Sequence, residues 1–278
     1  IFVVAMTLNS LIVVFEFIFP SFNYLLQSYL IQPTKVEYDG GLRFKGLASA
    51  GGANLSLAHA TAAIFALVLY SNGKLNFVGT LLCFSLCAIS IPFVGRTGVV
   101  ILGVGLLSVG LMNLSLSRSR EKLKGLWKTL VIVSTLSTFV IYIGYDQLPD
   151  GLKNYSLNLF MNGLEGLIRE GTIIVLLEWF MEYTDNFYEL FFGIGNMSGS
   201  FFGPGKDPGY LKMITLLGFP LSLFFYLFIF FIILKNCHGK NIHSYIVPLV
   251  VILIVAEFKE PFLIKGYTAR LFWLLFCI

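Results

Sequence analysis

Ionisable side chains are scarce in this chain, and several stand beside glycine or proline, where backbone geometry is set apart from its surroundings. Arg96 lies in Pro92-Phe93-Val94-Gly95-Arg96-Thr97-Gly98 and is the only charge between Lys74 and Arg118. A guanidinium presents a planar fork of donors that suits phosphate. The alternative is an arginine reaching for lipid headgroups. Arg43 and Lys45 lie in Gly40-Gly41-Leu42-Arg43-Phe44-Lys45-Gly46-Leu47. Cations beside open backbone N–H groups also suit phosphate, or headgroups. Lys206 and Asp207 lie in Gly203-Pro204-Gly205-Lys206-Asp207-Pro208-Gly209-Tyr210. A carboxylate held where water is scarce can serve as a general base, or be an ordinary turn residue. Glu257, Lys259 and Glu260 crowd one short segment and can pair among themselves.

Other reactive types carry less. Cys83 and Cys87 are four apart in an apolar run without a second ligand pair, which reads as packing rather than metal binding. His59 reads as a buried hydrogen-bonding residue. His238 and His243 have no carboxylate nearby to complete a metal site. Glu16, close to Pro20, reads as reaching an interface. No phosphate-binding Walker loop, dinucleotide fingerprint, GxSxG or HExxH occurs, so ATP-driven transport and hydrolase chemistry have no sequence support.

These residues must be positioned by apolar helices. The chain is 57% hydrophobic and 12% charged, with 28 Phe. Soluble domains carry about 25% charged residues, so a bilayer is the expected solvent. A span needs roughly 20 apolar residues. Candidates run at about 1–19, 53–71, 75–94, 97–116, 128–145, 210–234, 244–258 and 262–278. The expected fold is all-α: one polytopic transmembrane bundle over 1–278 with about eight spans. The chain opens at Ile1, without Met or a basic leader, which reads as a truncated N-terminus rather than a signal peptide. The net charge of +4 gives no footprint for nucleic acid.

Loop charges orient the bundle. Ser117–Lys128 carries Arg118, Arg120, Lys122, Lys124 and Lys128 against Glu121, and Lys235–His243 carries two Lys and no acid. The positive-inside rule makes these loops cytoplasmic. The large loop over 146–208 then lies outside; its stretch from Gln147 to Asp207 has three basic and eight acidic residues. Within it, Met161–Phe192 reads as helical. Glu178, Glu182, Asp185 and Glu189 share one face, either solvated or contacting an acceptor.

The order of these pieces resembles the O-antigen polymerases of bacterial surface-polysaccharide synthesis, and more distantly the O-antigen ligases. It is carried by Arg43-Phe44-Lys45-Gly46 before a span and Gly95-Arg96-Thr97-Gly98 at a helix break. A basic inner loop follows, then a large outer loop with Phe192-Gly193-Ile194-Gly195 and Asp207-Pro208-Gly209-Tyr210-Leu211, and finally Glu257-Phe258-Lys259-Glu260. The resemblance implies a metal-independent membrane glycosyltransferase of the GT-C type, without cofactor, in the bacterial inner membrane. Its substrate would be an undecaprenyl-diphosphate-linked oligosaccharide at the periplasmic face. Membrane lipids and a protein that sets chain length are the implied partners. Arg43 and Arg96 would grip the diphosphate and Asp207 would act as base. Lys45, Lys206, Tyr210 and Lys259 would contact substrate. The ligases place a His near the end of the large loop; Asp207 stands here instead, favouring a polymerase.

Overall fold

The computed structural model describes residues 1–29, 44–48, 52–115, 131, 187–195, 209–236, 243–258 and 262–263, some by backbone alone. Every element among them is an α-helix. The chain forms two compact units. Unit 1 comprises Ile1–Asn154 with Val247–Ile252, and unit 2 comprises Tyr155–Ile246 with Leu253–Ile278.

Unit 1 contains α1 (Phe2–Ile18), α2 (Pro20–Tyr29), α3 (Ala53–Ser71), α4 (Phe77–Val94) and α5 (Arg96–Ser115). Helix α3 is the centre, and α1, α4 and α5 pack around it. Its side chains explain this. Ala58, Ala60, Ala62, Ala63 and Ala66 are all buried, and small residues let neighbouring backbones approach closely. Bulkier Leu67, Phe84 and Cys87 fill the spaces between. A short turn joins α3 to α4, and the Asn76 side chain caps α4 by accepting from the Gly79 N–H at 2.8 Å. Pro92 removes a backbone donor near the end of α4, and a single non-helical residue, Gly95, separates α4 from α5.

Unit 2 contains α6 (Phe187–Phe192), α7 (Gly209–Leu217), α8 (Phe219–Asn236) and the end of α9 (His243–Glu257). Helix α6 packs on α7 and α8. The expected single span over 210–234 is corrected: it is two helices, broken at Gly218. Gly218 has φ +78°, and the Phe191 carbonyl presses where a Cβ would stand. An L residue is disfavoured by both, so the chain turns there.

Helices α3 and α4 are long and apolar enough to cross a membrane. Shorter apolar helices run over Phe2–Ile18, Thr97–Met112, Phe219–Ile232 and Ile246–Glu257. Large apolar side chains stand exposed on α8, among them Phe224, Leu227, Phe228 and Phe231. The segment after α1, expected as an outer connection, begins with the helix α2. The expected span over 128–145 lies outside the described residues except for Val131, and that over 262–278 except for Phe262 and Leu263. Most of the loop over 146–208 lies outside them too; of the helix expected over Met161–Phe192, α6 is the described part.

Candidate functional site

The residues after Arg43 form a short strap, Phe44–Ala48, tied to the end of unit 1 where α4 gives way to α5. Phe44 is buried in a cluster with Val13, Leu55, Phe93 and Val94. Its N–H donates to the Phe93 carbonyl at 3.3 Å. Its ring meets Phe93 edge-on at 6.4 Å and Phe17 at 6.1 Å, while Phe17 stacks on Phe93 at 4.2 Å. Three aromatic rings therefore clamp the backbone following Arg43 to the backbone preceding Arg96. Such ring pairs add about 0.5–1.5 kcal/mol each beyond area burial.

Helix α1 holds the strap from its other side. Glu16 Oε2 accepts from the Gly46 N–H at 2.8 Å. Asn9 Oδ1 accepts from the Leu47 N–H at 2.7 Å, and Asn9 Nδ2 donates to the Lys45 carbonyl at 3.4 Å. Gly46 has φ +59°, and a Cβ there would stand 2.5 Å from Asn9 Oδ1. The glycine of the Arg-x-x-Gly motif is thus fixed by backbone sign and by the close approach of α1. Glu16 is only 3% exposed, covered by the strap. A buried carboxylate must find donors, and the strap backbone supplies one.

On the far side of the break, α5 starts tightly against α3. The Gly98 N–H donates to Ser56 Oγ at 3.2 Å, and a Cβ on Gly98 would meet the Ser56 carbonyl at 2.7 Å. Arg96 is the first residue of α5.

A polar network continues from the strap into the interior of unit 1. Asn9 Nδ2 meets His59 Nε2 at 3.0 Å, and His59 Nδ1 meets Ser90 Oγ at 2.8 Å. Ser90 Oγ also contacts Ser10 Oγ at 3.0 Å and the Cys87 carbonyl at 2.8 Å. His59, Ser10 and Ser90 are fully buried. His59 is thus the buried hydrogen-bonding residue expected of it.

Unit 2 carries its own buried carboxylate. Glu257 Oε1 accepts from the Tyr226 hydroxyl at 2.8 Å, and Oε2 accepts from the Leu263 N–H at 3.2 Å. Tyr210 donates its hydroxyl to the Ile254 carbonyl at 2.8 Å and packs its ring against Tyr226 and Phe258. Its hydroxyl proton is engaged within the unit. The Phe192-Gly193-Ile194-Gly195 motif docks on the end of α7, with the Ile194 N–H on the Thr215 carbonyl.

Of the residues singled out in the sequence, Lys45 and Arg96 belong to the two ends of the clamped junction. Arg43, Lys206, Asp207 and Lys259 lie outside the described residues. The sequence reading passed over Asn9, Ser10 and Ser90 and gave Glu16 no partner. A signal was available: Thr7, Asn9, Ser10 and Glu16 are the polar residues of the otherwise apolar α1, and all four are buried. Polar residues in an otherwise apolar helix mark positions turned to partners. Among the described residues, no group of three or more His, Cys, Asp or Glu is placed to hold a metal ion. Comparison with protein-family models, curated proteins and solved structures finds no match.

Proposed function

We propose that this chain is a polytopic membrane glycosyltransferase that polymerises lipid-linked glycan at the outer face of a bacterial inner membrane. In this reading it has about eight spans, with the basic loops inside and the loop over 146–208 outside. Two apolar helices of spanning length, and the exposed apolar faces of α8, favour a bilayer setting. The observation that carries the enzymatic reading is the Phe44–Phe93 junction. It unites the backbone next to Arg43 with the backbone next to Arg96. Two separate basic motifs then serve one anion more readily than two.

The proposed reaction moves a glycan from undecaprenyl diphosphate to the terminal sugar of another lipid-linked unit. The acceptor hydroxyl attacks the anomeric carbon, its proton passes to Asp207, and the bond to the diphosphate oxygen breaks. Arg43 and Arg96 hold the diphosphate and stabilise its growing negative charge as it leaves. Lys45, Lys206 and Lys259 contribute charge toward the substrate. Tyr210 gives its hydroxyl proton to Ile254 and so would meet substrate as an acceptor or through its ring. The activated donor supplies the energy, so the scheme uses neither metal nor cofactor. A ligase acting on the same donor, with a different acceptor, shares the diphosphate-gripping roles, but its base would be the His for which Asp207 stands here.

One observation favours a second reading, a transporter of lipid-linked sugars. His59 is buried within unit 1, and an ionisable group deep among helices is the mark of a translocation path. The glycan made by a deletion strain separates the readings. A single repeat unit on the lipid core supports the polymerase. Unmodified core with accumulated lipid-linked polymer supports a ligase. Absence of both repeat and polymer from the outer face supports a transporter.

A further inference from the structure

Asn9 stands between the strap and the interior of unit 1, and its two amide atoms impose an order on the protons around it. The backbone N–H of Leu47 can only donate, so the Asn9 atom it meets at 2.7 Å is the amide oxygen. The amide nitrogen then faces His59 Nε2 at 3.0 Å. An amide nitrogen only donates, so Nε2 accepts and carries no proton. A neutral imidazole keeps its one proton on the other nitrogen. That nitrogen, Nδ1, lies 2.8 Å from Ser90 Oγ and donates to it. Ser90 passes its own proton on to the Cys87 carbonyl at 2.8 Å or to Ser10 Oγ at 3.0 Å. The second proton of the Asn9 amide faces the Lys45 carbonyl at 3.4 Å. Every side-chain donor of Asn9, His59 and Ser90 then meets an acceptor, and only one assignment of His59 allows it.

We infer that Asn9 and His59 are positioning residues for the strap: His59, held as the Nδ1–H tautomer, orients the Asn9 amide, and Asn9 sets the backbone of Lys45 and Leu47. The importance of the strap for a diphosphate rests on the proposed function; the proton order does not. The pairing also explains why this position carries an amide. An ionised aspartate would keep an acceptor for Leu47 but turn a second acceptor toward the lone pair of Nε2 and toward the Lys45 carbonyl. His59 could meet it only by placing a proton on Nε2. Ser90 would then donate to Nδ1 in a reversed chain, or His59 would become a cation.

The test reads the imidazole directly. The chain has three histidines, so the His238→Asn, His243→Asn double variant leaves His59 alone. Nitrogen-15 NMR of this protein, labelled at histidine, is expected to show a protonated Nδ1 and an unprotonated Nε2. Adding Asn9→Asp is expected to place a proton on Nε2. An Nε2–H tautomer in the double variant overturns the assignment, as does an unchanged Nδ1–H spectrum after Asn9→Asp at a pH where the new carboxyl is shown by its carbon-13 shift to be ionised. A second readout follows the strap. Asn9→Leu is expected to speed hydrogen exchange of the Leu47 amide about tenfold, as loss of one hydrogen bond implies, with the core of α3 unchanged. Unaltered exchange at Leu47 removes Asn9 from the positioning role. If the leucine variant does not fold, Asn9→Ala, which adds no bulk and also removes the Leu47 acceptor, gives the exchange comparison. Neither measurement uses glycan synthesis. A wrong tautomer in a protein that makes polymer ends this inference alone, and a correct tautomer in one that makes none ends the enzymatic reading alone.

Discussion

The backbone N–H of Phe44 donates to the carbonyl of Phe93 at 3.3 Å while their rings meet edge to face. Arg43 precedes one residue and Arg96 follows the other by three, so the contact ties two basic motifs into one end of unit 1. Phe44→Ala removes a ring that is only 7% exposed and opens a cavity beside Phe17. A loss of about 3 kcal/mol of stability is expected for truncating a buried phenylalanine. Phe44→Leu is expected to lose less than half of that. Thermal unfolding in detergent gives the comparison, and equal melting temperatures for the two would show that the ring is not packed as described.

Gly46 is fixed twice, by φ +59° and by Asn9 Oδ1 at 2.5 Å from any Cβ. Gly46→Ala should cost about 1–2 kcal/mol for the left-handed backbone alone and displace Asn9 besides. Gly73 also has a positive φ but has open space around it, so Gly73→Ala should cost only the backbone term. A Gly46→Ala protein no less stable than Gly73→Ala would contradict the close approach of α1 to the strap.

The start of α5 offers an internal control. A Cβ on Gly98 would meet the Ser56 carbonyl and Ile91 Cγ2, both at 2.7 Å, whereas a Cβ on Gly103 meets nothing within 4 Å. Gly98→Ala is expected to destabilise by pushing α5 away from α3. Gly103→Ala should be neutral or stabilising by up to about 1 kcal/mol, the difference in helix propensity. Unfolding curves of the two single variants should therefore shift in opposite directions or differ plainly in size.

Glu16 and Gly46 test whether the carboxylate is needed as an acceptor or as a charge. Glu16→Gln keeps an oxygen for the Gly46 N–H, while Glu16→Leu leaves that buried donor unpaired at a cost of about 1–3 kcal/mol. Glutamine retaining stability and strap protection, with leucine losing both, is the expected result. Loss of both in the glutamine variant would assign the role to charge instead.

Much of the helical layout was legible from hydropathy. The reading placed a span at 53–71 and α3 runs Ala53–Ser71; α4 and α5 fall within two residues of expectation. Their apolar runs are long, and turn residues bound them. The break at Gly218 has a local signal, Gly218-Phe219-Pro220, a glycine in left-handed backbone followed by a proline, which the apolar run on both sides outweighs; the contact with Phe191 adds to it. Helix α2 was hidden in a segment read only for its position outside the bundle. At the candidate site, Arg43 and Arg96 drew notice because lone charges in apolar surroundings are costly. Asn9 and His59 did not suggest a pair, since they are 50 residues apart and only folding brings the amide to the imidazole.

The most direct measurement of the central claim is the glycan ladder made by Arg43→Ala and Arg96→Ala proteins in cells lacking the native gene, with membrane insertion verified for each. The proposed diphosphate-gripping role predicts that both lose long chains, as removal of a charge that stabilises a leaving group costs about 10²–10³-fold in rate. Normal chain-length ladders from both inserted variants would contradict it.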